Sequence, residues 1–241
     1  MKFYAGMRDV LLIADDRTMK NLRRVIALVA LSCAFLAPAA ARADILTSNT
    51  ADVHASSLGY GIALGHTIAP RVDLRVSSGT LAFDHSGTTD NLNYTGSVRL
   101  QNIAALLDVH PTNGAFRLTT GLVLGNDHID VHGTAQNGTY VINGNAYSAS
   151  QVGAVDGTAK FGAAAPYFGI GLGAPKRLGI YFTADAGVVL RNVTTTLNAS
   201  GPAANDPQFQ SDLAQARNDF KNSAAALKTY PVISLGLATR F

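Results

Sequence analysis

"LGIYFTADAGVVLR" (residues 178–191) alternates without a break. Leu178, Ile180, Phe182, Ala184, Ala186, Val188 and Leu190 share one face. Gly179, Tyr181, Thr183, Asp185, Gly187, Val189 and Arg191 share the other. A period of two is the signature of a strand with two different environments. One face here is large and apolar; the other is small, polar or charged. In a soluble sandwich the polar face would be solvated and would gain nothing from glycine, which weakens a strand. In a membrane barrel the sense inverts: large side chains meet lipid, and small or charged ones fill a narrow lumen.

The pattern recurs along the chain. In residues 58–65 ("LGYGIALG"), Leu58, Tyr60, Ile62 and Leu64 oppose Gly59, Gly61, Ala63 and Gly65. In 116–125 ("FRLTTGLVLG"), Phe116, Leu118, Leu122 and Leu124 oppose Arg117, Thr119, Gly121, Val123 and Gly125. In 165–173 ("APYFGIGLG"), Pro166, Phe168, Ile170 and Leu172 oppose Tyr167, Gly169, Gly171 and Gly173. Seven strands are readable, at about 57–67, 72–83, 94–109, 115–126, 160–173, 178–191 and 230–241. Tight connections at 68–71, 110–114 and 173–177 alternate with long ones at about 84–92, 127–158 and 192–229. Short turns on one side and long loops on the other is the outer-membrane barrel layout. Such barrels have an even strand count, so an eighth strand is expected in the weakly patterned stretch 45–54 ("ILTSNTADVH"). The fold class read here is all-β, an antiparallel transmembrane β-barrel of eight strands. The strand at 94–109 changes its apolar face near Gln101, which suggests a bulge.

Two features stand out in the long loops. Asn143-Gly144 in "YVINGNAY" is a strong hairpin signal. Asp206 and Pro207 suit a helix start, and Phe209, Leu213, Ala216, Phe220 and Leu227 follow as one apolar stripe. This helix is expected to pack on the barrel rim or mouth; a partner-binding helix is the alternative.

The front of the chain is different. Residues 19–43 have a basic start (Lys20, Arg23, Arg24), an apolar run from Val25 to Ala37 and the small pair Ala41 and Ala43. These are the parts of a secretory signal peptide, with cleavage expected before Asp44. Residues 1–18 read as an upstream extension. The barrel domain is then 44–241. All 16 acidic residues are Asp, and the whole chain carries +3. Removing 1–43 takes away seven of 19 basic residues and three of 16 acidic ones, leaving 12 and 13, a net of −1. The basic balance therefore belongs to the leader and gives no reason to expect nucleic acid as a partner. The one cysteine, Cys33, lies in the leader, and "ALSC" is a poor lipoprotein site. No later apolar run is long enough for a transmembrane helix.

"APYFGIGLG", "INGNAY" and the terminal "YPVISLGLATRF" resemble small eight-stranded outer-membrane barrels of Gram-negative bacteria. The nearest likeness is to the CarO family of carbapenem-susceptibility and ornithine-uptake porins, clearest over the last 80 or so residues. A looser likeness runs to OmpA and OmpW barrels. The resemblance implies the bacterial outer membrane, outer-membrane lipid as surroundings and passive uptake of small solutes, basic ones among the candidates. It also implies that the last strand is the assembly signal read by the barrel-insertion machinery, with Phe241, Leu237, Leu235 and Ile233 on one face. It brings no catalytic motif.

The chemistry left to the residues lies inside the barrel. The lumen-lining candidates are Asp73, Arg75, Asp108, Arg117, Tyr167, Tyr181, Asp185 and Arg240. Asp108 and Arg117 flank a tight turn and are expected to face each other. Unpaired charges in such a space are costly, so the set is expected to pair. Either it forms a plug, or it lines a path whose Asp residues favour cations. The plug weighs more, because eight strands leave an interior only as wide as side chains. His128, Asp130 and His132 share a face and form a weak metal candidate. No cofactor motif and no enzyme signature appears. A Ser-His-Glu deacylase is disfavoured by the absence of Glu, and no His stands beside Ser and Asp at a lipid-facing rim.

Overall fold

The computed structural model describes residues 49–89, 92–112, 114–173 and 178–241. The leader, its cleavage position, Cys33 and most of the 173–177 turn lie outside the described residues.

Eight antiparallel strands close into a ring. In ring order, with numbers following the chain, they are β1 (Asn49–Ser56), β2 (Gly59–Ala69), β3 (Val72–Thr89), β4 (Leu92–Val109), β5 (Phe116–Gly125), β10 (Ala164–Leu172), β11 (Gly179–Leu190) and β13 (Thr229–Arg240). β13 returns to β1, which completes the barrel. At the seam Phe241 and Asn49 exchange both backbone bonds, at 3.1 and 3.2 Å. Closure leaves this part of the sheet no edge, as membrane barrels require.

β1 overlaps the stretch where an eighth strand was needed, shifted to 49–56. Its pattern is faint because its outward residues are small. Ala51, Val53 and Ala55 pair with Leu64, Ile62 and Tyr60 of β2. Its inward residues are Thr50, Asp52, His54 and Ser56, so the alternation is complete but built on alanines.

Ile62, Leu64, Leu122, Ile170, Phe182, Ile233 and Leu235 are all at least half exposed on the outer wall. Together with Leu74, Ile103, Leu118 and Leu172 they form the apolar belt. Leu237, on the same face, is half-buried.

Two loop expectations are corrected. Residues 84–89, expected in a loop, are strand, because β3 and β4 stay paired as far as Thr89↔Leu92. The long connections also contain strands: β6 (His128–Ala135), β9 (Val155–Phe161) and β12 (Val193–Ala199). They continue β5, β10 and β11 beyond the ring. With the upper halves of β3 and β4 they form a wall in the order β12-β9-β6-β4-β3.

The bulge suggested near Gln101 is also absent. β3 and β4 pair in one unbroken register from Val72↔Val109 to Thr89↔Leu92. Even-numbered residues of β4 are buried over its whole length. The surroundings change, not the backbone. Below Gln101 the outer face is the apolar belt (Ile103, Ala105, Leu107) and the inner face is lumen. Above it the outer face carries Asn93, Thr95, Ser97 and Arg99, and Leu92, Tyr94, Val98 and Leu100 point into a second core.

Helix α2 (Pro207–Ala224) lies over that core. Asp206 caps it, accepting from the backbone N–H of Gln208 (2.8 Å) and Phe209 (3.1 Å), with Pro207 in the first turn. Phe209, Leu213 and Phe220 are buried against Ile129, Val155 and Leu197, with Ala216 and Leu227 half-buried beside them. The Asn143-Gly144 hairpin joins β7 (Thr139–Ile142) to β8 (Asn145–Ser148), both turn residues having positive φ (50° and 86°). The one-turn helix α1 (Ala149–Val152) follows.

Buried Asp212 ties hairpin to helix. It accepts from Asn143 Nδ2 (3.0 Å), Asn145 Nδ2 (2.7 Å) and the Tyr147 hydroxyl (2.6 Å). These donors, the Tyr147 hydroxyl foremost, hold the Asp212 carboxyl down at about 2, against a usual 3.8. A depressed carboxyl contributes stability above its unfolded value and loses it as pH falls toward the folded one. Docking of the hairpin on α2 should therefore persist to about pH 4 and weaken as pH approaches 2. Asp212→Ala should show the loose state at neutral pH. Limited proteolysis should then nick residues 136–148 several-fold faster, while the barrel keeps its heat-dependent gel mobility.

Candidate functional site

The lumen is a stack of layers set by strand parity. Arg75 on β3, Asp108 on β4, Arg117 on β5 and Asp185 on β11 meet in the middle as a ring of alternating charge. Arg75 grips Asp108 with two bonds, Nε–Oδ2 2.7 Å and Nη2–Oδ1 3.0 Å. Arg117 Nη2 lies 2.9 Å from both oxygens of Asp185. The ring is completed by Arg75 Nη2–Asp185 Oδ1 at 3.5 Å and Arg117 Nε–Asp108 Oδ1 at 3.9 Å. Thr119 donates to Asp108 at 2.6 Å. Such planar bidentate contacts suit arginine, whose fork matches a carboxylate. The expected facing of Asp108 and Arg117 is corrected: Asp108 stands opposite Thr119 in the β4–β5 register, and Arg117 reaches it only on the diagonal, so each has a closer partner elsewhere, and that redistribution closes the ring.

The glycines explain how the ring fits. A Cβ on Gly171 would run into Asp185 Oδ1 and lie 3.1 Å from Arg117 Nε. One on Gly173 would run into Arg117 Nη1. β10 lies between β5 and β11, and its bare inner face lets Arg117 reach over it to Asp185. Gly169 and Gly187 likewise leave room for the Tyr167 ring.

Beneath the ring Asp73 accepts from Thr67 Oγ1 (2.6 Å) and contacts His110 Nε2 (3.1 Å) and Arg240 Nη2 (3.3 Å). Tyr181 stands apart at the short-turn rim, donating to Leu178 O at 3.0 Å. Above the ring, Tyr167, Leu58, Leu106, Val123 and Val232 form an apolar layer; this corrects the placing of Leu58 on the outer face with Tyr60 and Ile62, because Leu58 lies in the turn before β2, where strand parity does not hold. Over that, the Arg191 guanidinium lies between the Phe161 and Tyr230 rings, 4.8 and 5.0 Å from their centroids, and pairs with Asp127 at 3.0 Å. Parity alone marks Arg191 as inward; its aromatic partners come from distant strands and are legible only in three dimensions.

A further triplet escapes sequence reading because it sits on the faint first strand. Asp52 Oδ1 accepts from His54 Nδ1 at 2.8 Å, and His54 Nε2 faces Ser77 Oγ at 3.3 Å. Thr183 holds the other Asp52 oxygen at 2.7 Å. β2 lies between them, with Gly61 opposite His54 and Ala63 opposite Ser77. This is the order of an acid–base relay, but it lies inside the barrel, not at a lipid-facing rim. The cavity beside it, lined by His54, Ser77, Asn102 and Tyr167, holds about 50 Å³. That is room for a few water molecules and for no acyl substrate. A second cavity of about 20 Å³ lies on the other side of the ring, between Asp52, Asp73 and Arg240. The ring separates the two.

His128, Asp130 and His132 do share the outer face of β6, and His128 Nε2 lies 3.7 Å from Asp130 Oδ2, but His132 is drawn elsewhere. Asp130 accepts from Thr158 at 2.7 Å, and His132 pairs with Asp156. Among the described residues no group of three or more such side chains could hold a metal.

No protein-family model matches this sequence, and no curated protein matches it. Solved structures do match it in fold. The crystal structure of Acinetobacter baumannii CarO superposes with a TM-score of 0.53 at 16% identity, over 83% of this chain and 100% of that one. Acinetobacter baumannii CarO2 gives 0.51 at 19% identity, over 80% and 98%. The fold is that of a small outer-membrane β-barrel.

Removing one member of a buried ion pair leaves its partner charged and alone, at a cost of about 3–5 kcal/mol, whereas apolar replacement of both is often neutral. Asp185→Ala should lower the urea midpoint of unfolding markedly. Arg117→Met with Asp185→Leu should recover most of the loss. Gly171→Ala should also destabilise, by about 1–3 kcal/mol, by forcing the pair apart.

Proposed function

We propose that this chain is a bacterial outer-membrane barrel whose lumen is shut at rest, and that porin-like passage of small solutes requires the Arg75–Asp108–Arg117–Asp185 ring to open. The ring carries this reading: it spans from β3 to β11, and among the described residues the cavities that flank it, about 20 and 50 Å³, are water-sized. The apolar belt supports the membrane, and the fold likeness to CarO supports the outer membrane. The short turns then face the periplasm and the α2 lobe faces outward. Phe241, Leu237, Leu235 and Ile233, the outward face of β13, serve as the signal for the insertion machinery. Cationic amino acids are the favoured solutes, because Asp108 and Asp185 are the acceptors an ammonium group would meet once the arginines swing aside.

A second reading is a permanently closed barrel that acts through its outer lobe. The observation favouring it is that the lobe has its own buried core, covered by a helix.

Liposome swelling with ornithine, arginine and glycine separates the two. The gated reading expects slow swelling, faster for the cationic solutes, and a marked gain in planar-bilayer conductance for Arg75→Ala/Arg117→Ala. Asp185→Asn should reduce cation preference. Swelling no faster than empty liposomes, with the double variant also silent, would leave the closed barrel.

A further inference from the structure

The ring of eight strands has no edge, but the wall above it has two. One is the upper half of β3, whose pairing with β2 stops at Tyr60↔Thr80. That edge carries the exposed charge of Asp84 and the small Gly87, which discourage a further strand. The other is β12, which pairs with β9 alone. Its sequence, Val-Thr-Thr-Thr-Leu-Asn-Ala, has no Lys, Pro, Gly or charge to protect it.

The ladder shows which backbone groups are turned outward. Ser200 N–H donates to Ala154 O at 3.0 Å and Gly162 N–H to Asn192 O at 2.8 Å, so even-numbered residues face β9. The N–H and C=O groups of Val193, Thr195, Leu197 and Ala199 therefore point to the free side. One of them already has a substitute partner: Leu197 C=O accepts from Arg217 Nε of α2 at 2.8 Å, where a neighbouring strand would place an N–H. Between this edge and α2 lies a cavity of about 240 Å³ whose charged lining residues are Arg217 and Lys221, with Thr195, Asn198 and Asn218 around them. Neither acidic residue of the helix lines it: Asp212 is held by the hairpin, and Asp219 accepts from Gln215 at 3.1 Å.

We propose that β12 is a docking edge for an extended acidic segment of another protein, which adds a strand to the lobe with its carboxylates against Arg217 and Lys221. Main-chain bonds to Thr195 and Leu197 supply the attachment, and the two basic side chains supply the choice of sign. A second copy of this chain is a poor occupant, since edge-to-edge pairing would set two Arg217–Lys221 pairs against each other. The inference does not depend on whether the lumen conducts.

The test uses the mature chain folded in detergent and two labelled heptapeptides, Val-Asp-Thr-Asp-Val-Asp-Thr and its Lys-for-Asp counterpart. Fluorescence anisotropy should show saturable binding of the acidic peptide, at least tenfold tighter than the basic one. Arg217→Gln/Lys221→Gln should remove that preference. Thr195→Pro deletes an outward N–H without touching a β9 bond, and should weaken binding at least tenfold. Hydrogen exchange on the unaltered protein gives a reading free of folding effects. The Thr195, Leu197 and Ala199 amides should slow when the acidic peptide is added. No saturable binding up to millimolar peptide, equal binding of both peptides, or no slowing of those amides would overturn the proposal.

Discussion

An eight-stranded barrel encloses a space only as wide as the side chains that fill it, and the rest of this molecule follows from that constraint. Every large inward group needs a small one beside it. Gly171 and Gly173 clear the way for Arg117, and Gly169 and Gly187 for Tyr167. In so small a space charges cannot stay apart or unpaired. Two arginines and two aspartates on four strands therefore lock into one neutral ring that ties β3, β4, β5 and β11 together.

The same strands do two jobs along their length. In the belt their large residues face outward and their polar ones inward. Past Gln101 the polar residues of β4 face outward and its apolar ones inward, toward the core under α2. No bulge or slip is needed, because side-chain direction stays constant while the solvent outside changes from lipid to water. The barrel thus continues into a folded lobe, held by Asp212 and three donors from the hairpin. That lobe is half a cylinder, so closure, which protects the membrane part, stops where β12 begins. An unpaired edge is the geometric consequence of ending the ring there.

Much of this was legible in the residues. Alternation showed the strands, the connection lengths showed the two ends, Asn143-Gly144 showed the hairpin, and Asp206-Pro207 with the Phe209–Leu213–Phe220 stripe showed the helix. The failures have physical causes. β1 was faint because alanines carry its outward face. The suspected bulge was a change of environment mistaken for a change of backbone. The loops concealed strands because solvent-facing Thr, Ser and Asn read as loop composition when the core they cover is supplied by a distant helix. Asp108 was matched to Arg117 by proximity in sequence, yet its closer partner is Arg75, 33 positions away.

The sequence by itself determined which residues within a strand face inward, since parity along a strand is a local property of the backbone; Leu58, in the turn before β2, escaped it. It therefore determined that charge would be enclosed and would have to pair. Only the tertiary structure decided who pairs with whom, because barrel closure and stagger set which inward residues share a level. The same three-dimensional fact placed β12 at an edge and sandwiched Arg191 between Phe161 and Tyr230.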